Sequence, residues 1–180
     1  MKQLIIWIFA ILPTLLIAQA PPKTIQEAAV GSLNYTEDRI IQLAEAIPED
    51  KYDWRPAEGI RSVGESLMHL AAANYFVAMT AGHTPPADVD PMSLEKTVTN
   101  KDDILAAVKA SYIYAREGAE AISKKHLGDK VDFPFPGNYN KMSALMVATG
   151  HCSEHLGQLI AYARMNGIVP PWSESESEDE

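Results

Sequence analysis

The sequence predicts an all-α protein, a four-helix bundle with long connecting loops. Three observations predict it. Four segments of about 20 to 26 residues carry apolar side chains at spacings of three and four, the period of a helix. Each is bounded by residues that start or stop helices. No segment alternates convincingly between apolar and polar, and no internal repeat is present. A chain of 180 residues, 47% apolar, suits one domain with a core of its own.

The first twenty residues stand outside that bundle. "MKQ" is a charged start, "LIIWIFAILPTLLIA" an apolar run, and "AQA" a small-residue exit. The pattern predicts a secretory signal peptide over residues 1–20. Its apolar run is short for a membrane span, and Pro13 would disturb a spanning helix. Cleavage after Ala20 leaves Pro21 first, and cleavage after Ala18 has bulky Leu16 upstream, so the cut stays open. The expected location is periplasmic or extracellular, without a stable membrane anchor after cleavage; an uncleaved N-terminal anchor is the alternative. The domain itself is expected over residues 21–172. The remaining "SESESEDE", 173–180, has nothing to bury and is expected to be a disordered acidic tail.

The first helix is read from Thr24 to Ile47. Ala29, Leu33, Thr36, Ile40, Leu43 and Ile47 form one stripe, "TIQE" is a capping box with Glu27 reaching back to Thr24, and Pro48 ends it. "EDKYDWRPAEGIR" is a loop by its Pro, Gly and Asp content, with Trp54 expected to pack on the body. A second capping box, "SVGE" at 62–65, opens a helix that is apolar on most sides, hence central, and stops at Gly82. "GHTPPADVDPMSLEKTVT" reads as loop. Asn100 caps the third helix, whose stripe is Ile104, Leu105, Val108, Ser111, Tyr112, Ala115, Ala119 and Ile122. Lys109, Arg116, Glu120 and Lys124 fall on the opposite, solvated face. "GDKVDFPFPGNYN" is expected to be irregular, because proline and glycine break regular elements. The fourth helix runs from about residue 141 to 166, with Gly167 as a left-handed stop. The connections exceed what an up-down bundle requires, so they are expected to cross over or to wall a site.

The last helix contains "GHCSEHLGQLIAYARMNG". His151 and His155, four apart, project together, and Gln158 and Tyr162 continue their line. A polar line on an apolar helix must be satisfied by something. A divalent metal ion would satisfy both imidazoles, and His69, central in the second helix, is the obvious third ligand. His83 and His126 lie in polar surroundings and read as surface residues. Core histidines bonded to backbone or carboxylate groups remain the alternative. Imidazole suits zinc, nickel, iron and copper alike. "HCSEH" also matches an inverted zinc-peptidase motif with Glu154 as general base, but the acids that follow lie in the tail. Glu154 stays the candidate base as the nearest carboxylate. Cys152, the sole cysteine, excludes an intramolecular disulfide and points about 100° from His151, which suits packing. A net charge of −9 offers no basic face for nucleic acid.

The succession of "DWRP", "SVGESLMHLAAANYF" and "HCSEHLGQLIAYARMNGIVPP" resembles the DinB superfamily, also called YfiT/DinB, over roughly residues 25–172. The resemblance implies a four-helix bundle holding a metal on His69, His151 and His155, and a homodimer formed through helix faces. It also implies chemistry with small-molecule thiols or electrophiles, since some relatives are metal-dependent thiol transferases or isomerases. Export and the acidic tail depart from cytosolic relatives, and no basic cluster suited to a charged thiol is evident. The resulting expectation is an exported metal-dependent thiol transferase or hydrolase. A non-catalytic metal-binding or stress-response protein is the alternative.

Overall fold

The apolar faces of four long helices pack together into the buried interior. The structure, a computed structural model, describes residues 21–174; the expected signal peptide, 1–20, and tail residues 175–180 lie outside the described residues. The bundle consists of α1 (Ile25–Ala46), α2 (Val63–Thr80), α4 (Lys101–Ala121) and α5 (Lys141–Met165), with short turns α3 (Leu94–Thr97) and α6 (Pro171–Glu174). Among the described residues no helix is long and apolar enough to cross a membrane.

α1 and α2 each pack chiefly on α4 and α5. Helices consecutive in the chain, α1 with α2 and α4 with α5, therefore stand diagonally, and the loops 47–62 and 122–140 cross the bundle ends. This is why those loops are long. The stripe of α1 is buried as its period demands: Leu33, Ile40 and Leu43 are essentially inaccessible. They meet Leu67, Met68 and Leu70 of α2, Ile104, Val108 and Tyr112 of α4, and Leu159 of α5. A second cluster, rich in small residues, holds Ala29, Val77, Ala81, Ala119 and Ala144. There α2 and α4 approach closely: a Cβ on Gly118 would come within 2.9 Å of the Ala78 Cβ.

The caps follow the sequence with one change. Thr24 Oγ1 accepts from Glu27 N at 3.1 Å, but the Glu27 carboxylate accepts from Lys23 N, one residue further out than expected. The Ser62–Glu65 box is complete, at 3.2 and 2.8 Å. Asn140 and Ser143 form a further box that opens α5. Gly82 and Gly167 take positive φ of 97° and 75°, as helix stops do.

Three expectations are corrected. Part of the "GHTPPADVDPMSLEKTVT" loop folds into α3. "GDKVDFPFPGNYN" is not wholly irregular: Lys130–Val131 pairs antiparallel with Tyr139–Asn140, and the prolines sit in the turn between. Arg116 is not simply solvated, for it is paired with Glu37 of α1, both largely covered. Beyond Gly167, α6 lays Trp172 under the Arg39 guanidinium at 4.6 Å, and Ser173 and Glu174 complete its turn.

Candidate metal centre

Because α2 and α5 are neighbours, the middle of one faces the middle of the other. His69 of α2 thus meets His151 and His155 of α5, with ring centroids 5.3 and 5.1 Å away. One nitrogen from each ring lies within 4.8 Å of the other two. His151 Nε2 and His155 Nε2 face one another at 3.1 Å. Bonds of about 2.05 Å from these two nitrogens to a shared ion would subtend about 100°, between octahedral and tetrahedral values. Three imidazoles converging in this way fit a divalent metal, and the cluster could hold one.

A hydrogen-bonded chain sets the orientation of His155. Tyr162 Oη lies 3.2 Å from the Arg61 carbonyl, which can only accept, so the hydroxyl donates there. It then accepts from Gln158 Nε2 at 3.0 Å, which leaves Gln158 Oε1 to accept from His155 Nδ1 at 2.7 Å. With its proton on Nδ1, His155 presents the lone pair of Nε2 to the cluster. Trp54 packs edge-on against Tyr162 at 5.4 Å and shields this line, as its loop position suggested.

His69 is held by a group that sequence reading missed. Its Nδ1 lies 2.8 Å from Glu95 Oε1, and Arg61 in turn binds that carboxylate through Nε at 3.0 Å and Nη2 at 3.4 Å. Burial pushes the Glu95 carboxyl up, but Arg61 and His69 outweigh it and hold it below the usual range. Arg61 therefore serves the chains behind both His155 and His69, through its carbonyl and through its side chain. No local pattern ties Glu95 to His69, 26 residues away. Only the fold of α3 over α2 unites them.

His151 has no such support: its Nδ1 is buried and unpaired among the described residues. Burial, and then the neighbouring His155, His69 and Arg61, bring its pKa down to about 4. Burial also lowers that of His155, against the opposing hydrogen bond to Gln158. Both rings are accordingly neutral near pH 7, the form that ligates metals.

The other candidates stand apart. Glu154 is exposed, and its charge reaches His155 only as a minor upward pull. Cys152 is fully buried, donates to Asn74 Oδ1 at 3.3 Å, and has its pKa pushed up to about 11 by burial. That is a packing role. His126 pairs with Asp129 at 2.8 Å, and the His83 ring packs at a tilt against Tyr114 with centroids 4.6 Å apart.

Residues 32–159 match the family model of the DinB superfamily. The chain belongs to the DinB superfamily. No curated protein matches it. A DinB-like protein from Bacillus cereus superposes with a TM-score of 0.68 at 18% identity, covering 81% of this chain and 95% of that one. A DinB-like protein from Bacillus subtilis gives 0.62 at 22% identity, covering 79% and 93%. A conserved protein from Enterococcus faecalis gives 0.65 at 17% identity, covering 79% and 97%. At such identities the DinB fold is what these neighbours share with the chain.

Proposed function

We propose that this DinB-superfamily chain is an exported metal-dependent enzyme, working as a homodimer on a small-molecule thiol or electrophile, with His69, His151 and His155 as ligands. The reading rests on one observation: His151 Nε2 and His155 Nε2 face each other at 3.1 Å with a nitrogen of His69 within reach. When bound, a divalent ion supplies Lewis acidity, the chemistry that makes a thiol or water nucleophilic near neutral pH.

The chain's own residues do the rest. Gln158 and Tyr162 hold the His155 proton at Nδ1, and Glu95 holds the back of His69. Both arms keep their rings in register before any ion arrives, so less reorganisation accompanies binding. Glu154, exposed to solvent, is assigned no step. The thiol transferase assignment draws on the resemblance to DinB relatives, and the hydrolase alternative on the same Lewis acidity acting on water.

Elemental analysis of the purified chain should find about one divalent ion per molecule, lost in His151→Ala. A screen pairing thiols with electrophiles should show turnover that disappears with the ion. If His151→Ala loses the ion but keeps the turnover, the catalytic reading fails. If the wild type holds an ion and turns over nothing, a non-catalytic metal-binding role replaces it. Fractionation of cells expressing the full chain tests export, and sedimentation of the purified protein tests the dimer.

A further inference from the structure

Beside the candidate metal centre runs an open groove of about 580 Å³, lined by Arg55, Arg61, Lys96, Glu65, Glu95 and Gln158. Glu95 and Gln158 are the residues that hold His69 and His155, so the groove lies one side chain away from the three histidines, none of which lines it. Its acids are already engaged. Glu65 takes hydrogen bonds from Ser62 N at 2.8 Å and from Arg55 at 2.9 and 3.2 Å. Glu95 takes them from Arg61 and His69. Its cations are not exhausted. Arg61 Nη1 has no acceptor among the described residues, and the exposed Lys96 ammonium has neither ion pair nor hydrogen bond there. The wall therefore presents donors in excess of acceptors, on a chain whose net charge is −9. Acidic surroundings repel anions, and a local cationic patch reverses that at one place.

Resting on the metal-centre reading above, we propose that this groove is the subsite for an anionic group, carboxylate or phosphate, of a ligand whose other end reaches the ion. Lys96 and the free edge of Arg61 grip the anion, and the ligand's thiol or other donor enters among the three imidazoles. The groove thus selects small molecules with an acidic tail over neutral ones of the same length.

The test uses the Co²⁺-loaded full chain and two probes of equal length, 6-mercaptohexanoate and 6-mercaptohexanol. Their long spacer prevents the acid from chelating the ion through both ends. Thiolate binding is read from the sulfur-to-cobalt charge-transfer band. The acid is expected to bind roughly tenfold more tightly than the alcohol, with the preference shrinking as salt screens the patch. Lys96→Glu should erase the preference, and Lys96→Gln should reduce it. Displacement of the acid by inorganic phosphate and by acetate then shows which anion the groove holds better. Equal binding of the two probes to the wild type overturns the subsite while leaving the metal centre standing. So does a preference that survives Lys96→Glu. Failure of the wild type to take up Co²⁺ overturns the metal centre itself, and the subsite with it.

Discussion

Replacing Gln158 with leucine should loosen metal binding without unfolding the bundle. The side chain makes two hydrogen bonds, one with His155 Nδ1 at 2.7 Å and one with Tyr162 Oη at 3.0 Å. Leucine keeps the volume but accepts nothing, so the His155 N–H loses its partner. An unmet, largely covered donor costs about 1–3 kcal/mol. The ring is also free to move its proton to Nε2 and withdraw the ligating lone pair. Losses of groups behind a ligand typically lower metal affinity about 10- to 100-fold, or about 1.4–2.7 kcal/mol, so the two ranges agree. Gln158→Glu still accepts from His155 and should stay within about fivefold of wild type, since a carboxylate serves the same role. Tyr162→Phe removes only the far link, where water can replace the hydroxyl, and should cost less than about threefold. Affinities would be read by competition with a chromophoric chelator, with circular dichroism confirming helicity. Wild-type affinity in Gln158→Leu refutes the relay, as does a Tyr162→Phe loss equal to that of Gln158→Leu.

Three further outcomes follow from the structure. In metal-free protein, His151 falls from an ordinary 6.5 to about 4 on folding, so the unfolded chain binds more protons between those values. Its stability contribution is complete above pH 6.5 and is lost as pH falls towards 4, by about 2 kcal/mol after discounting for partial exposure; urea titrations should show this slope, and His151→Ala should reduce it, leaving the part due to His155. Gly118→Ala, which drives a methyl to within 2.9 Å of Ala78, should destabilise by about 1–3 kcal/mol. Ala78→Gly added to it should recover part of that loss in a thermal double-mutant cycle, and strict additivity would refute the steric account. The Cys152 thiol, buried and raised to about 11, should resist an aromatic disulfide reagent in the native state and react once denatured; rapid native reaction would show that the core opens readily.

Much of the fold was legible because helices are periodic and local. The α1 stripe was read at the residues now buried, and Ser62, Asn100 and Gly167 mark ends where the backbone turns. The His151–His155 pair was legible for the same reason, since residues four apart share a face whatever surrounds them. His69 was inferred from its place in an apolar segment, and the neighbouring of α2 and α5 brought it to the pair. Glu95 was not legible. It lies in a Pro- and Asp-rich loop, and no periodicity connects that loop to α2. The cationic groove was equally hidden, because Arg55, Arg61 and Lys96 come from a loop and a short helix far apart in the chain.

By itself the sequence determined four helices, their ends, and a pair of imidazoles on one face, because each depends on neighbours within a turn or two. Tertiary structure alone decided that consecutive helices stand diagonally, that α3 brings a carboxylate behind His69, and that Arg61 braces the hydrogen-bonded chains behind both His69 and His155. The physical reason is that these contacts join segments whose encounter depends on how long loops cross the bundle. Local spacing carries no information about that.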